Sequence, residues 1–274
     1  MTDNCHLPVN RIAKIANVAA YKFVPIDDAD RLRQDLLDMC LLLALKGTIL
    51  RAPEGINLFL AGSKEAIDAF LAKLIRDKRF ATLEAKWSWS HTVPFERLRV
   101  KLKKEIVTLR CAGIDPVVAP APLVAPAELR RWYDEGRDFA ILDTRNEWEY
   151  AAGTFANAIN PHLRSFSEFP RAIDKLPHLR DQTIVTFCTG GIRCEKAAPY
   201  CSCGGSATFI SCKGAYSSTS RNAVEHIGRG IARYLTIEAR LTHSSGRPVS
   251  EQSSRTSPHR SRPAIVIRFR RQGV

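Results

Sequence analysis

The chain has 274 residues, 45% hydrophobic and 25% charged, a balance that supplies a core for two small domains or one large one. Its longest purely apolar run, Met39–Leu45, is far below the ~20 residues a spanning helix needs, and MTDNCHLPVNRIAK has no basic-then-apolar secretory pattern, so the expected compartment is the cytosol, with mostly reduced cysteines and no membrane partner. The net charge of +13 is uneven: residues 201–274 hold 12 Lys+Arg against 3 Glu, whereas residues 1–200 hold 29 Lys+Arg against 25 acids, so the excess says little about the folded part.

In chain order, VAAYKFVPI (18–26) is a short β-prone run ended by Pro25 and Asp27. Residues 28–46 carry apolar side chains at 32, 36, 37, 40 and 43, a helical stripe opened by acids. Residues 47–53 and 56–62 read as strands joined by a turn at Glu54 and Gly55, and residues 63–77 as a helix with a Ser63 cap. Strands are then expected at 84–90 and 97–107. The order β-α-β-β-α-β predicts a ferredoxin-like α+β domain over residues 15–110. CAGIDPVVAPAPLVAP, with four prolines and little charge, predicts an extended linker or a crossing segment over 111–126. Beyond it, helices around 126–135 and 167–176 alternate with buried strands at 139–145 and 182–188, which predicts a parallel-sheet α/β domain over 127–220.

The chemistry gathers at FCTGGIRCEK (187–196). A cysteine directly after a buried strand, followed by two glycines and a helical segment, offers inward-pointing N–H groups that stabilise a thiolate or a charged sulfur adduct. The loop is Cys188, Thr189, Gly190, Gly191, Ile192 and Arg193, with Cys188 the candidate nucleophile and Arg193 the closing charge. Cys194 reads as a packed bystander or a resolving thiol. A zinc site from Cys188, Cys194, Cys201 and Cys203 lacks the close C-x2-C pairs such sites show, and a Walker loop is excluded because no G-K-[ST] follows the glycines. No metal, flavin or haem motif is found.

The string CTGGIR after a strand, with LDTRNEWEYAAGTFANAIN upstream, resembles a rhodanese domain. The spacing from Cys188 to Arg193 is C-x4-R, suited to a persulfide, where the related phosphatase loop is C-x5-R. By that resemblance Asp143 and Arg145 match the D-x-R pair that braces the active-site loop. With AYKFV, KGTILRAPEGIN and PFERLRVKLKKEIVTL in order before it, the chain is similar over about residues 15–200 to the rhodanese-type tRNA uridine hydroxylases (the TrhO family, UPF0176). The resemblance implies oxygen-dependent 5-hydroxylation of the wobble uridine of tRNA, molecular oxygen as co-substrate, the anticodon arm as partner and Cys188 as the persulfide-type cysteine. A plain sulfurtransferase fed by a sulfur donor, and a non-catalytic RNA-binding or scaffold protein, are the alternatives. Arg97, Arg99, Lys101, Lys103 and Lys104 are the candidate tRNA contacts, with Trp87, Trp89 and His91 preceding them, because cations neutralise phosphates while aromatic faces stack on unpaired bases. A solvated edge strand kept soluble by its charges is the competing reading.

From Cys201 the sequence departs from the family. Codons for SCKGAYSSTSRNAV can be chosen so that reading from the third base spells LQRGILKYLEERG, so the translation is expected to leave frame between Tyr200 and Ser211; resequencing the gene is the check. Residues 221–274 are then a disordered or out-of-frame tail. If the printed tail is genuine, the second domain is expected to lack its last strand and helix, at a cost of several kcal/mol for roughly 25 cal/mol per Å² of lost apolar burial.

Overall fold

The computed structural model describes residues 14–202 and 208–212. The first domain runs β1 (Ile15–Phe23), α1 (Ala29–Leu42), β2 (Lys46–Ala52), β3 (Gly55–Gly62), α2 (Lys64–Leu74), β4 (Ala85–Ser90) and β5 (Leu98–Leu102). Its sheet has the order β4-β1-β3-β2-β5; β1 pairs antiparallel with β3 and β4, β2 antiparallel with β3, and β5 runs parallel to β2. This is the predicted ferredoxin-like arrangement with a fifth strand added at one edge. Ser63 caps α2 by accepting the Ala66 N–H at 3.1 Å. Both helices lie on one face of the sheet, where Leu36, Met39, Phe70 and Leu74 pack on Val18, Ile49 and Leu58. The β2–β3 turn needs glycine at position 55: its φ is +150°, and a Cβ there would sit 2.1 Å from the Lys22 carbonyl oxygen.

The second domain runs β6 (Leu123–Val124), α3 (Pro126–Asp134), β7 (Ala140–Asp143), α4 (Glu147–Ala152), β8 (Ala158–Ile159), α5 (Phe169–Ile173), β9 (Thr183–Phe187), α6 (Ile192–Ser202) and β10 (Thr208–Cys212). Its strands are all parallel, in the order β6-β10-β9-β7-β8. Alternate residues of the central strands go to opposite cores. Leu142 and Ile184 join the cluster containing Leu163, Phe169 and Ala197, while Ile141, Val185 and Phe187 join Leu129 and Phe155. Helices and loops on both faces explain why these strands carry no polar alternation.

Several expectations need correction. The helix expected over 167–176 is a 3-10 turn at Phe166–Glu168 followed by the short α5, with Pro170 in its first turn, where its missing N–H costs nothing. Of the two forms expected for 111–126, the structure has the crossing segment: Cys111, Ile114 and Ala121 pack against the second core, and β6 begins within it. The last strand, expected to be missing, is present as β10, which pairs with β9 through Thr208–Ser211 and with β6 through Ser211 and Cys212. Ser211 and Cys212 of this strand are buried. The expected loss of the final helix and the tail at 221–274 lie outside the described residues.

The domains are locked together by a buried charge. Lys196, on α6, is 2% exposed and reaches Glu54 and Glu105 at 2.7 Å each, and donates to the Val107 carbonyl at 3.1 Å. Glu54 also accepts the Ile106 N–H, and Glu105 accepts those of Leu109 and Arg110. Replacing Lys196 with Met strands two carboxylates, so Lys196→Met is expected to cost about 3–5 kcal/mol and lower the melting midpoint by roughly 10 °C, read by calorimetry. The triple variant Glu54→Gln, Glu105→Gln, Lys196→Met keeps the amide acceptors without the charges and is expected to recover most of that loss.

Candidate active site

Cys188 leaves the end of β9 at 2% exposure, and the chain curls back so that the Gly191 N–H donates to its Sγ at 3.0 Å. The curl needs glycine at 191, whose φ is +93° and whose Cβ would come within 2.7 Å of the Tyr21 hydroxyl. Burial by itself pushes the Cys188 thiol up. A hydrogen bond from the Cys194 thiol, the Arg193 guanidinium, and the backbone N–H groups of 194 and 193 outweigh it and bring the pKa down to about 5. Cys194 moves the opposite way, well above its ordinary value, through burial and the neighbouring Cys188 anion. Cys194, expected to be a packed or a resolving thiol, is fully buried beside the candidate nucleophile, with its Sγ 3.6 Å from Thr144 Oγ1. A thiolate alkylates and a thiol does not. The iodoacetamide rate at Cys188 is therefore expected to fall with a midpoint near pH 5, against an ordinary value of 9.0. A midpoint above pH 8 would remove the thiolate from the account.

The loop is braced from two sides. Asp143 and Arg145 form a buried fork: Arg145 Nε meets Oδ1 at 2.9 Å and Nη2 meets Oδ2 at 2.6 Å, while Nη2 also donates to the Gly153 carbonyl at 2.6 Å. The Arg145 guanidinium lies 5.1 Å from the centre of the Phe187 ring, immediately before Cys188, and Thr154 donates to Asp143 at 2.9 Å. The second brace, Glu149 on α4, went unnoticed in the sequence. It is fully buried, takes both arms of Arg193 at 2.7 and 3.0 Å, and accepts Thr189 Oγ1 at 3.1 Å. Its Oε2 also accepts the Asn146 N–H at 2.9 Å. The available signal was NEWE, an Asn with Glu three residues on at a helix start, which reads as a cap and nothing more.

The first domain reaches the same loop. Lys86 on β4 donates to the Gly190 carbonyl at 2.6 Å, and the Tyr21 hydroxyl on β1 donates to Glu195 Oε1 at 2.5 Å. Ile192 packs with Ala52 and Ile106 of the first domain. Between the domains lies a cleft of about 970 Å³, walled by Tyr21, Phe23 and Lys86 on one side and Gly190, Gly191 and Glu195 on the other.

Arg99 and Lys101 lie on β5, flanked by Arg97 and Lys103, with Lys104 next. Val100 points into the helix-covered core, so Arg99 and Lys101 occupy the opposite face. Lys101 is depressed by desolvation and by repulsion from Arg99, Lys103 and Arg97, the mark of cations crowded on one surface. The expected partnership with Trp87 and Trp89 is corrected: β4 and β5 are opposite edges of the sheet, and Trp87 packs on the first core with Lys64 over its ring at 5.7 Å. Among the described residues, no group of three or more His, Cys, Asp or Glu side chains is placed to hold a metal ion. Nor is any helix among them long and apolar enough to cross a membrane.

A ferredoxin-like domain packed against a parallel-sheet domain whose central strand ends in a cysteine cradle defines a two-domain protein of the rhodanese class. The family description "UPF0176 acylphosphatase like domain" matches residues 15–106, and "Rhodanese-like domain" matches residues 125–220. A protein of Cupriavidus taiwanensis called tRNA uridine(34) hydroxylase is 52% identical over 191 residues, covering 68% of each chain. Proteins of the same name from Thiobacillus denitrificans and Bordetella petrii are also 52% identical, over 193 and 192 residues, covering 67% and 68% of this chain and 77% and 76% of theirs. The chain belongs to the family of these tRNA uridine(34) hydroxylases.

Proposed function

We propose that this chain is a tRNA-modifying enzyme that hydroxylates C5 of the wobble uridine in an oxygen-dependent reaction, with Cys188 as its essential residue. One observation carries the reading: the low-pKa Cys188 cradle lies under a cleft to which both domains contribute, in a chain 52% identical to proteins named for that modification. The overall change replaces C5–H with C5–OH. One oxygen atom of O2 enters the base and the other leaves as water, with two electrons and two protons from a reductant. The residues in hand perform the parts that need a protein. The Gly191 N–H and Arg193 hold negative charge on the sulfur, Glu149 fixes Arg193, and Asp143 with Arg145 braces the loop. Arg97, Arg99, Lys101, Lys103 and Lys104 take the phosphates of the anticodon arm, adding affinity without reading sequence. Residues 15–110 act as the RNA-holding domain and residues 127–220 as the rhodanese domain. A tRNA substrate supports a cytosolic location.

A second reading, sulfur transfer from a persulfide or thiosulfate donor, draws on the same C-x4-R cradle, since donors that hold a thiolate also hold a persulfide anion. Mass spectrometry of tRNA nucleosides separates the two. Deleting the gene is expected to remove 5-hydroxyuridine-derived wobble nucleosides and restoring it to bring them back. Unchanged tRNA alongside cysteine-dependent thiocyanate formation favours sulfur transfer.

A further inference from the structure

We propose that the interdomain cleft is a single-base pocket that selects uracil over cytosine by holding the O4 and N3–H edge of the ring between Lys86 and Glu195. The assignment rests on the hydroxylase reading above. An enzyme that acts on one base in an RNA must take it out of the stack and read it in a pocket. At about 970 Å³ the cleft has room for a nucleotide, and Gly190 and Gly191 serve at once as its wall and as the cradle of Cys188. A base held there lies against the loop that carries the reactive sulfur.

The polar groups match uracil in kind. Lys86 has three N–H donors and spends one on the Gly190 carbonyl, leaving donors for the O4 acceptor of uracil. Glu195 has one carboxyl oxygen engaged by Tyr21, and its other oxygen suits the N3–H donor. Cytosine inverts both positions, with an amine where uracil has O4 and a bare acceptor where uracil has N3–H. Each mismatch leaves a half-buried polar group unpaired, the situation in which a hydrogen-bonding site discriminates most strongly. Tyr21 is a positioning residue: its hydroxyl orients Glu195 across the domain boundary, and its ring, edge-on to Phe23 with centroids 6.1 Å apart, adds an aromatic wall.

The test reads Cys188 directly and does not require turnover. The full chain is alkylated with iodoacetamide in the presence of an unmodified anticodon-arm RNA carrying uridine at the wobble position, or the same RNA carrying cytidine. Uridine RNA is expected to protect Cys188 at concentrations about tenfold to a hundredfold below those needed for cytidine RNA. Lys86→Met and Glu195→Gln should each shrink that ratio toward one. Tyr21→Phe, which keeps the ring, should shrink it partially. Equal protection by the two RNAs in the unsubstituted protein overturns the proposal, as does a ratio unchanged in both the Lys86 and Glu195 variants. The two readings fail separately: selective protection without any tRNA hydroxylation would leave the pocket standing and remove the reaction assigned to it.

Discussion

Cys188→Ser is expected to reduce wobble-uridine hydroxylation about a thousandfold or more, to the level of the gene deletion, when the variant complements the deleted strain and tRNA nucleosides are quantified. The reason is electrostatic. The loop concentrates the Gly191 N–H, the start of α6 and the Arg193 charge on one atom that carries negative charge at neutral pH. A serine hydroxyl is of similar size but stays protonated there, so the cradle has no anion to hold. The fold should survive the exchange, because the side chain is small and its neighbours keep their partners, with the Thr144 hydroxyl still donating to the Phe187 carbonyl at 2.9 Å. Melting within about 1 °C or 2 °C of the parent together with lost activity is the expected pattern. Full restoration of the modified nucleosides by Cys188→Ser would overturn the assignment of Cys188.

Glu149→Ala should destabilise the second domain by about 3–5 kcal/mol, with a fall in melting midpoint of roughly 10 °C. Its carboxylate is the shared partner of Arg193, Thr189 and the Asn146 N–H. Removing it leaves a guanidinium with 12% side-chain exposure without its fork, and the Cys188 loop without its outer strut. Activity should drop by about a hundredfold even where the protein stays folded, since a displacement of about 1 Å at a reacting group costs that much. Burial pushes the Glu149 carboxyl up, but Arg193 outweighs it and holds the group below its ordinary 4.5. A depressed folded-state pKa contributes stability that is present above pH 4.5 and lost as pH falls through the lower native value. The brace therefore stays ionised at the pH where Cys188 takes up its proton, and the alkylation profile near pH 5 reports the thiol rather than unfolding. Glu149→Leu combined with Arg193→Met should recover stability but not activity. Recovery of both would make the pair purely structural.

What the sequence made legible followed local physics. Period-two and period-3.6 patterns located the strands and helices of the first domain within a few residues, except that the strand expected over 97–107 ends at Leu102, and a cysteine after a buried strand before two glycines located the cradle. Asp143 and Arg145 were named through the family's D-x-R pattern, and their contact spans only two residues. The groups that complete the site are linked over long distances: Glu149 meets Arg193 across 44 positions, Lys196 meets Glu105 across 91, and Tyr21 meets Glu195 across 174. No periodicity encodes such meetings, because they arise only when segments distant in the chain pack together. The same blindness joined Trp87 to the basic run, since neighbours in sequence across the β4–β5 connection end at opposite sheet edges. The turn at Glu54 and the helix that follows the cysteine loop, read separately from the sequence, are tied together by the Lys196–Glu54 ion pair. β10 was missed because TFISC is too short to stand out beside a serine-rich stretch, and its burial between β9 and β6 supplies what its sequence lacks.

The account is tested most directly by incubating the purified full chain with unmodified tRNA under ¹⁸O2 and a thiol reductant, then weighing the wobble nucleoside. It predicts 5-hydroxyuridine carrying one heavy oxygen, formed by the parent chain and absent with Cys188→Ser. An unaltered wobble uridine, in a preparation that still converts thiosulfate and cyanide to thiocyanate through Cys188, would contradict it and make this chain a sulfurtransferase.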